Sequence, residues 1–153
     1  MKKIALSLGL AIPLAGCFSF GGKPPPTLMT LTAASPVAVG QTQASSVGTG
    51  VLILVPSVPQ ALATARVPVQ SDATNVAYIK NAQWVEPPQR LFARLLADTV
   101  TSKTGRVVLS TAQSMADPGV RLSGELRNFG VDATTREAVV TYDGSMIRGA
   151  GTT

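Results

Sequence analysis

Pro87-Pro88-Gln89-Arg90-Leu91-Phe92-Ala93-Arg94-Leu95-Leu96-Ala97-Asp98-Thr99-Val100-Thr101-Ser102-Lys103-Thr104-Gly105 decides the fold. Leu91, Phe92, Leu95, Leu96 and Val100 recur at helical spacing on one face, while Arg90, Arg94 and Asp98 take another. A proline at the first helical position forfeits no hydrogen bond, and glycine at the end can turn left-handed. The stretch predicts an amphipathic helix over about 87–104. An apolar stripe must be buried against a second layer. Its surroundings read as strands, so the expected class is α+β: a small mixed or antiparallel sheet packed by one main helix.

Upstream, Val51-Leu52-Ile53-Leu54-Val55 is a continuous β-prone run closed by Pro56 and Pro59, which suits a central strand covered on both faces. Residues 66–70 and 76–80 read as a hairpin around the turn-prone 71–75. Downstream, 107–109 is a short strand. Asp117-Pro118-Gly119 then turns the chain into 120–129, where Val120, Leu122 and Leu126 face one way and Arg121, Glu125 and Arg127 the other. A reversal at 132–135 leads into a strand over 136–142. The domain is expected over 51–146. Residues 147–153 are read as an irregular tail without a final strand.

The N-terminus is of another kind. Met1-Lys2-Lys3 precedes an apolar run over 4–14 and then Ala15-Gly16-Cys17, the order of a secretory signal. Eleven helical residues reach about 16 Å against a hydrocarbon core of about 30 Å, too short to span. Leu14-Ala15-Gly16-Cys17 matches the bacterial lipobox residue for residue. The thiol is nucleophilic enough to take a diacylglyceryl group, and the small residues before it let a peptidase close on the backbone. Residues 1–16 are thus a lipoprotein signal peptide, cut between Gly16 and Cys17, and Cys17 carries the lipid. Phe18, rather than Asp, after the cysteine favours the outer membrane by the sorting rule of enteric bacteria. Residues 17–50 read as a lipidated tether and flexible segment, with Ser19-Phe20-Gly21-Gly22-Lys23-Pro24-Pro25-Pro26 as spacer and a short strand at 27–32.

Composition narrows the function. The mature chain from Cys17 has the size of one domain. Once Lys2 and Lys3 leave with the signal, eleven Lys and Arg face eight Asp and Glu, scattered singly and without the basic patch that nucleic acid requires. There is no His, the single Cys is committed to lipid, and no carboxylate pair sits in a catalytic motif, so an enzyme, a metal site or a cofactor is not expected. Gly48-Thr49-Gly50 lacks the frame and lysine of a phosphate loop.

Residues 61–108, with Tyr78, five residues, Trp84, then Glu86-Pro87-Pro88 before the helix, resemble the ABC-type transport auxiliary lipoprotein family. The resemblance implies a periplasmic, membrane-tethered accessory subunit working with a permease, an ATPase and an MCE-domain protein to move phospholipids or other apolar molecules. That family's pattern continues beyond the second hairpin with further sheet and a C-terminal helix. Their absence here leads us to expect a truncated or frameshifted product. The competing reading is a structural or assembly lipoprotein of the cell envelope.

Trp84 is a candidate partner contact, because tryptophan concentrates at interaction hot spots, and also a candidate packing anchor. Tyr78 carries the same pair of readings. Glu86 is read as a carboxylate favoured by the helix dipole.

Overall fold

The computed structural model describes residues 27–36, 40, 44, 46, 48–109 and 118–149. Gly16 and Cys17 lie outside them. The elements are β1 (Val51–Ile53), a short 3-10 turn (Gln60–Leu62), β2 (Arg66–Gln70), β3 (Val76–Gln83), α1 (Pro88–Thr104), β4 (Val108–Leu109), β5 (Val120–Asp132) and β6 (Glu137–Arg148). They form one mixed six-stranded sheet and one helix, the α+β class expected.

Helix α1 begins at Pro88, with Pro87 extended as its N-cap, since a residue before proline is pushed out of the helical region. It ends where expected. Gly105 takes φ 67°, and its N–H donates to the Thr101 carbonyl at 2.9 Å. Leu91 is buried, while Leu95, Leu96 and Val100 are half-buried. Glu86 does not cap the helix. Its Oε1 lies 2.7 Å from Nη2 of Arg94, two turns along.

β5 is the spine of the sheet. Antiparallel β6 pairs with it from end to end, Val120↔Arg148 through Asp132↔Glu137. The other edge of β5 is shared by two parallel strands, β1 at Val51↔Val120 through Ile53↔Leu122 and β2 at Val69↔Val131 and Gln70↔Asp132. A bridge from Ser57 to Glu125 lies between them. β4 continues the sheet beyond β1, and β3 beyond β2. All three residues of β1 are buried, but the expected run through Val55 stops short, with Leu54 half-buried and Val55 exposed.

Two departures from the sequence reading have causes in the β5–β6 pairing. First, β5 changes phase at a bulge between Leu126 and Asn128. Strict alternation would turn Phe129 outward, but the extra residue Arg127 resets the pleat and brings Phe129 in beside Leu126. Second, β6 runs to Arg148, so the strand does not stop at 142, and 147 and 148 belong to it rather than to an irregular tail. Gly144 is what a local reading takes for a breaker. Here it sits opposite Gly124, and the Tyr142 ring lies over both: a Cβ on either glycine would come within 2.8 Å of ring atoms. The ring covers backbone that two glycines leave bare.

β2 covers 66–70 as expected, although Pro68 lies in an interior strand, where proline is normally excluded. The proline is tolerated because the β2–β3 register shifts between Arg66 and Pro68. Asn81 absorbs the irregularity with φ 61°. The turn after β2 is tied by Asp72, whose Oδ1 accepts the N–H groups of Thr74 at 2.9 Å and Asn75 at 3.0 Å. The Asn75 side chain and these Thr74 and Asn75 bonds hold the Asp72 carboxyl down at about 2.

The core cluster is Leu62, Leu126 and Phe129, packed against Leu31, Val58, Trp84, Phe92 and Tyr142. Phe92 of α1 meets Tyr142 of β6 with centroids 5.0 Å apart, tilted 51°. This contact joins helix to hairpin. Burial pushes the Tyr142 hydroxyl above its ordinary range.

Candidate functional site

No group of three or more His, Cys, Asp and Glu among the described residues is placed to hold a metal ion. Among the described residues, no helix is long and apolar enough to cross a membrane. What the described residues offer instead is surface, with two of the sheet edges and a groove foremost.

The first edge is where the N-terminal segment reaches the domain. The Met29 N–H donates to the Gln83 carbonyl and the Val85 N–H to the Met29 carbonyl, both at 2.9 Å. Met29 thereby bridges Trp84 in parallel. Of the strand expected at 27–32, the structure forms only this single bridge. Leu31 turns into the core and Ala33 is buried, while Leu28, Met29 and Val85 remain 50%, 37% and 52% exposed.

Trp84 and Tyr78 both lie by this edge, and both use their rings within the chain. The indole stacks obliquely on Phe129 with centroids 5.4 Å apart, and its buried Nε1 has no hydrogen-bond partner. The Tyr78 hydroxyl donates to the Ala61 carbonyl at 3.2 Å, and the Arg66 guanidinium sits 4.0 Å from the ring centroid. That cation–π contact pins β2 to β3. The exposed apolar groups are their neighbours, Val85 and Ile79, which a search for aromatic residues passes over. The alternation in Thr27-Leu28-Met29-Thr30-Leu31-Thr32 was the available signal.

The second edge is β6. Among the described residues, its outer side pairs with no strand. It is twelve residues long, carries neither proline nor lysine, and exposes Val140, Met146 and Ile147 by 53%, 59% and 62%. These are features that invite another strand. Between β2 and β5, where the two strands have yet to pair, an open groove of about 530 Å³ is lined by Leu62, Pro68, Phe129 and Val139, with Gln70 and Arg127 among its polar groups. Those polar groups are engaged: the Gln70 amide nitrogen donates to the Asp72 carbonyl, and Arg127 Nη1 lies 3.2 Å from Asp143 Oδ2.

Comparison with known families adds a further finding. The pattern described as the ABC-type transport auxiliary lipoprotein component matches residues 30–153.

The chain belongs to that family.

The resemblance carried by Tyr78, Trp84, Glu86, Pro87 and Pro88 is therefore confirmed. As an ABC-type transport auxiliary lipoprotein component, the chain is an accessory part of a transport system. Its fold has solved counterparts. Protein XCC0632 from Xanthomonas campestris, of the family DUF330, is 15% identical with a TM-score of 0.61, over 81% of this chain and 69% of that one. An uncharacterized protein is 12% identical with a TM-score of 0.50, over 70% of this chain and 78% of its own. At such identities the likeness is one of fold. No curated protein matches the chain.

Proposed function

We propose that this auxiliary component is a non-catalytic, lipid-anchored subunit of an MCE-type ABC transporter, held at the periplasmic face of a bacterial membrane, the outer membrane by preference. Its partners are an MCE-domain protein, a permease and an ATPase. The cargo is phospholipid or another apolar molecule, and the energy comes from the ATPase. The observation that carries this reading is the family match over 30–153 on a chain that opens with Leu14-Ala15-Gly16-Cys17. The mature protein needs no cofactor beyond the covalent lipid on Cys17.

The edge of β6 is the natural place for a transporter partner to add a strand. Main-chain bonds would supply affinity there, and pockets for alternate side chains would supply specificity. A photo-crosslinking residue at Ile147, in cells expressing the intact gene, should capture the MCE-domain protein or the permease. The ATPase should follow in the detergent-solubilised complex. Recovery of the cell wall in place of these subunits would instead support the structural-lipoprotein reading.

A further inference from the structure

We propose that the edge formed by β3 and the 27–36 segment rests on the bilayer itself, with Leu28, Met29 and Val85 entering the interface between headgroups and acyl chains. The proposal builds on the Cys17 anchor and adds an orientation to it.

Three observations converge. The first is reach. The described chain resumes at Thr27, ten residues after Cys17, and ten residues span at most about 35 Å. A lipid on Cys17 therefore keeps Thr27 close to the membrane, and Leu28 and Met29 follow it directly. The same two residues are fixed to the domain by the Gln83 and Val85 hydrogen bonds. The part of the domain tied most directly to the anchor is thus the Met29–Trp84 bridge.

The second is the surface found there. Leu28, Met29 and Val85 are large apolar side chains left exposed on adjoining backbone, and Ile79 of β3 adds another, 38% exposed. Large apolar side chains left exposed at one edge mark an interaction surface.

The third is charge. Across 27–36 and 76–85 the one charged side chain is Lys80, and Arg66 lies alongside, paired with Gln83. Glu86, next to Val85, is neutralised by Arg94 Nη2 at 2.7 Å, and Asp72 lies back in the β2–β3 turn. The β5–β6 hairpin, by contrast, carries Glu125, Asp132, Glu137 and Asp143 among its arginines. Exposed apolar side chains flanked by basic ones suit an anionic bilayer surface. A surface with carboxylates does not.

The sheet order gives the orientation its consequence. β3 lies on one side of β2 and β5, and β6 on the other. Seating β3 on the membrane turns the unpaired edge of β6 away from it, toward proteins of the envelope space.

The sole tryptophan reports on this directly, because Trp84 is the residue bridged by Met29. The lipidated protein, purified from membranes, is placed in vesicles of phosphatidylethanolamine and phosphatidylglycerol brominated high on the acyl chains. Contact at the expected depth of about 5–10 Å should lower Trp84 emission about twofold relative to unbrominated vesicles. Leu28→Asp and Val85→Asp, both at exposed positions, should each restore most of the emission while the protein still sediments with the vesicles. Sedimentation of the wild-type protein without quenching would overturn the seated edge and leave the anchor standing. Quenching unchanged by both substitutions would also overturn it. A purified protein that carries no lipid and stays in the supernatant would overturn the anchor beneath it.

Discussion

Leu126→Ala is expected to lower the free energy of unfolding by about 3–5 kcal/mol, the range for deleting a fully buried leucine whose surroundings cannot collapse onto the space. Leu126 is wholly shielded from solvent. It lies at the middle of the spine strand, inside the cluster of Leu62, Phe129, Trp84, Phe92 and Tyr142. Its neighbours are poorly placed to fill a cavity. The Tyr142 ring is already committed to the Gly124–Gly144 pair, and Phe129 is fixed by the bulge and by Trp84. Against a typical total of about 5–15 kcal/mol, a loss of that size unfolds much of the population. Urea denaturation followed by circular dichroism measures it. Val140→Thr is the control, since Val140 is largely exposed and the change should fall within about 0.5 kcal/mol. Equal effects at the two positions would contradict the placement of the core.

Cys17→Ala is expected to abolish incorporation of labelled fatty acid and leave an uncut precursor. The loss should be complete, because the chain has no second cysteine to take the lipid. Alanine offers no nucleophile, and serine would substitute poorly, as the reaction depends on sulfur. Anchoring follows the same logic: each buried methylene contributes about 0.8 kcal/mol, so several acyl chains hold durably where none holds at all. Folding should be untouched, since Cys17 precedes the described domain by ten residues. Metabolic labelling and the urea midpoint, measured on the same variant, therefore separate anchoring from stability. Unchanged labelling would sink the lipid assignment.

The helix over 88–104, the buried run of β1 and both hairpins were legible in the sequence, because each is set by a local period and its own punctuation. Pro87, Pro88 and Gly105 bound the helix within one residue. Two features escaped for a common reason: a pairing partner across the ladder decides them. The bulge at Arg127 comes from the register β5 adopts against β6, and it is this that carries Phe129 inward. Gly144 looks like an end until Tyr142 and Gly124 are seen across the ladder. Glu86, beside the helix start as read, gains in addition an ion pair with Arg94.

The candidate site was legible in part. The lipobox is a linear motif, so the sequence alone proposes Cys17 as the lipid site, and that residue lies outside the described ones. Tyr78 and Trp84 stood out by residue type, yet their rings turned out to serve packing. The exposed groups around them, Leu28, Met29 and Val85, are ordinary apolar residues. Only their arrival at one edge of the sheet distinguishes them, and composition does not record that.

The central claim is that this auxiliary lipoprotein serves a transporter of apolar cargo, and its most direct test is movement of labelled phospholipid between the membranes of cells lacking the chain. With the permease, ATPase and MCE-domain protein still present, we predict that transfer falls to the level seen without the ATPase. It should recover with the wild-type chain and fail to recover with Cys17→Ala. Transfer at the wild-type rate in the absence of this protein would contradict the account.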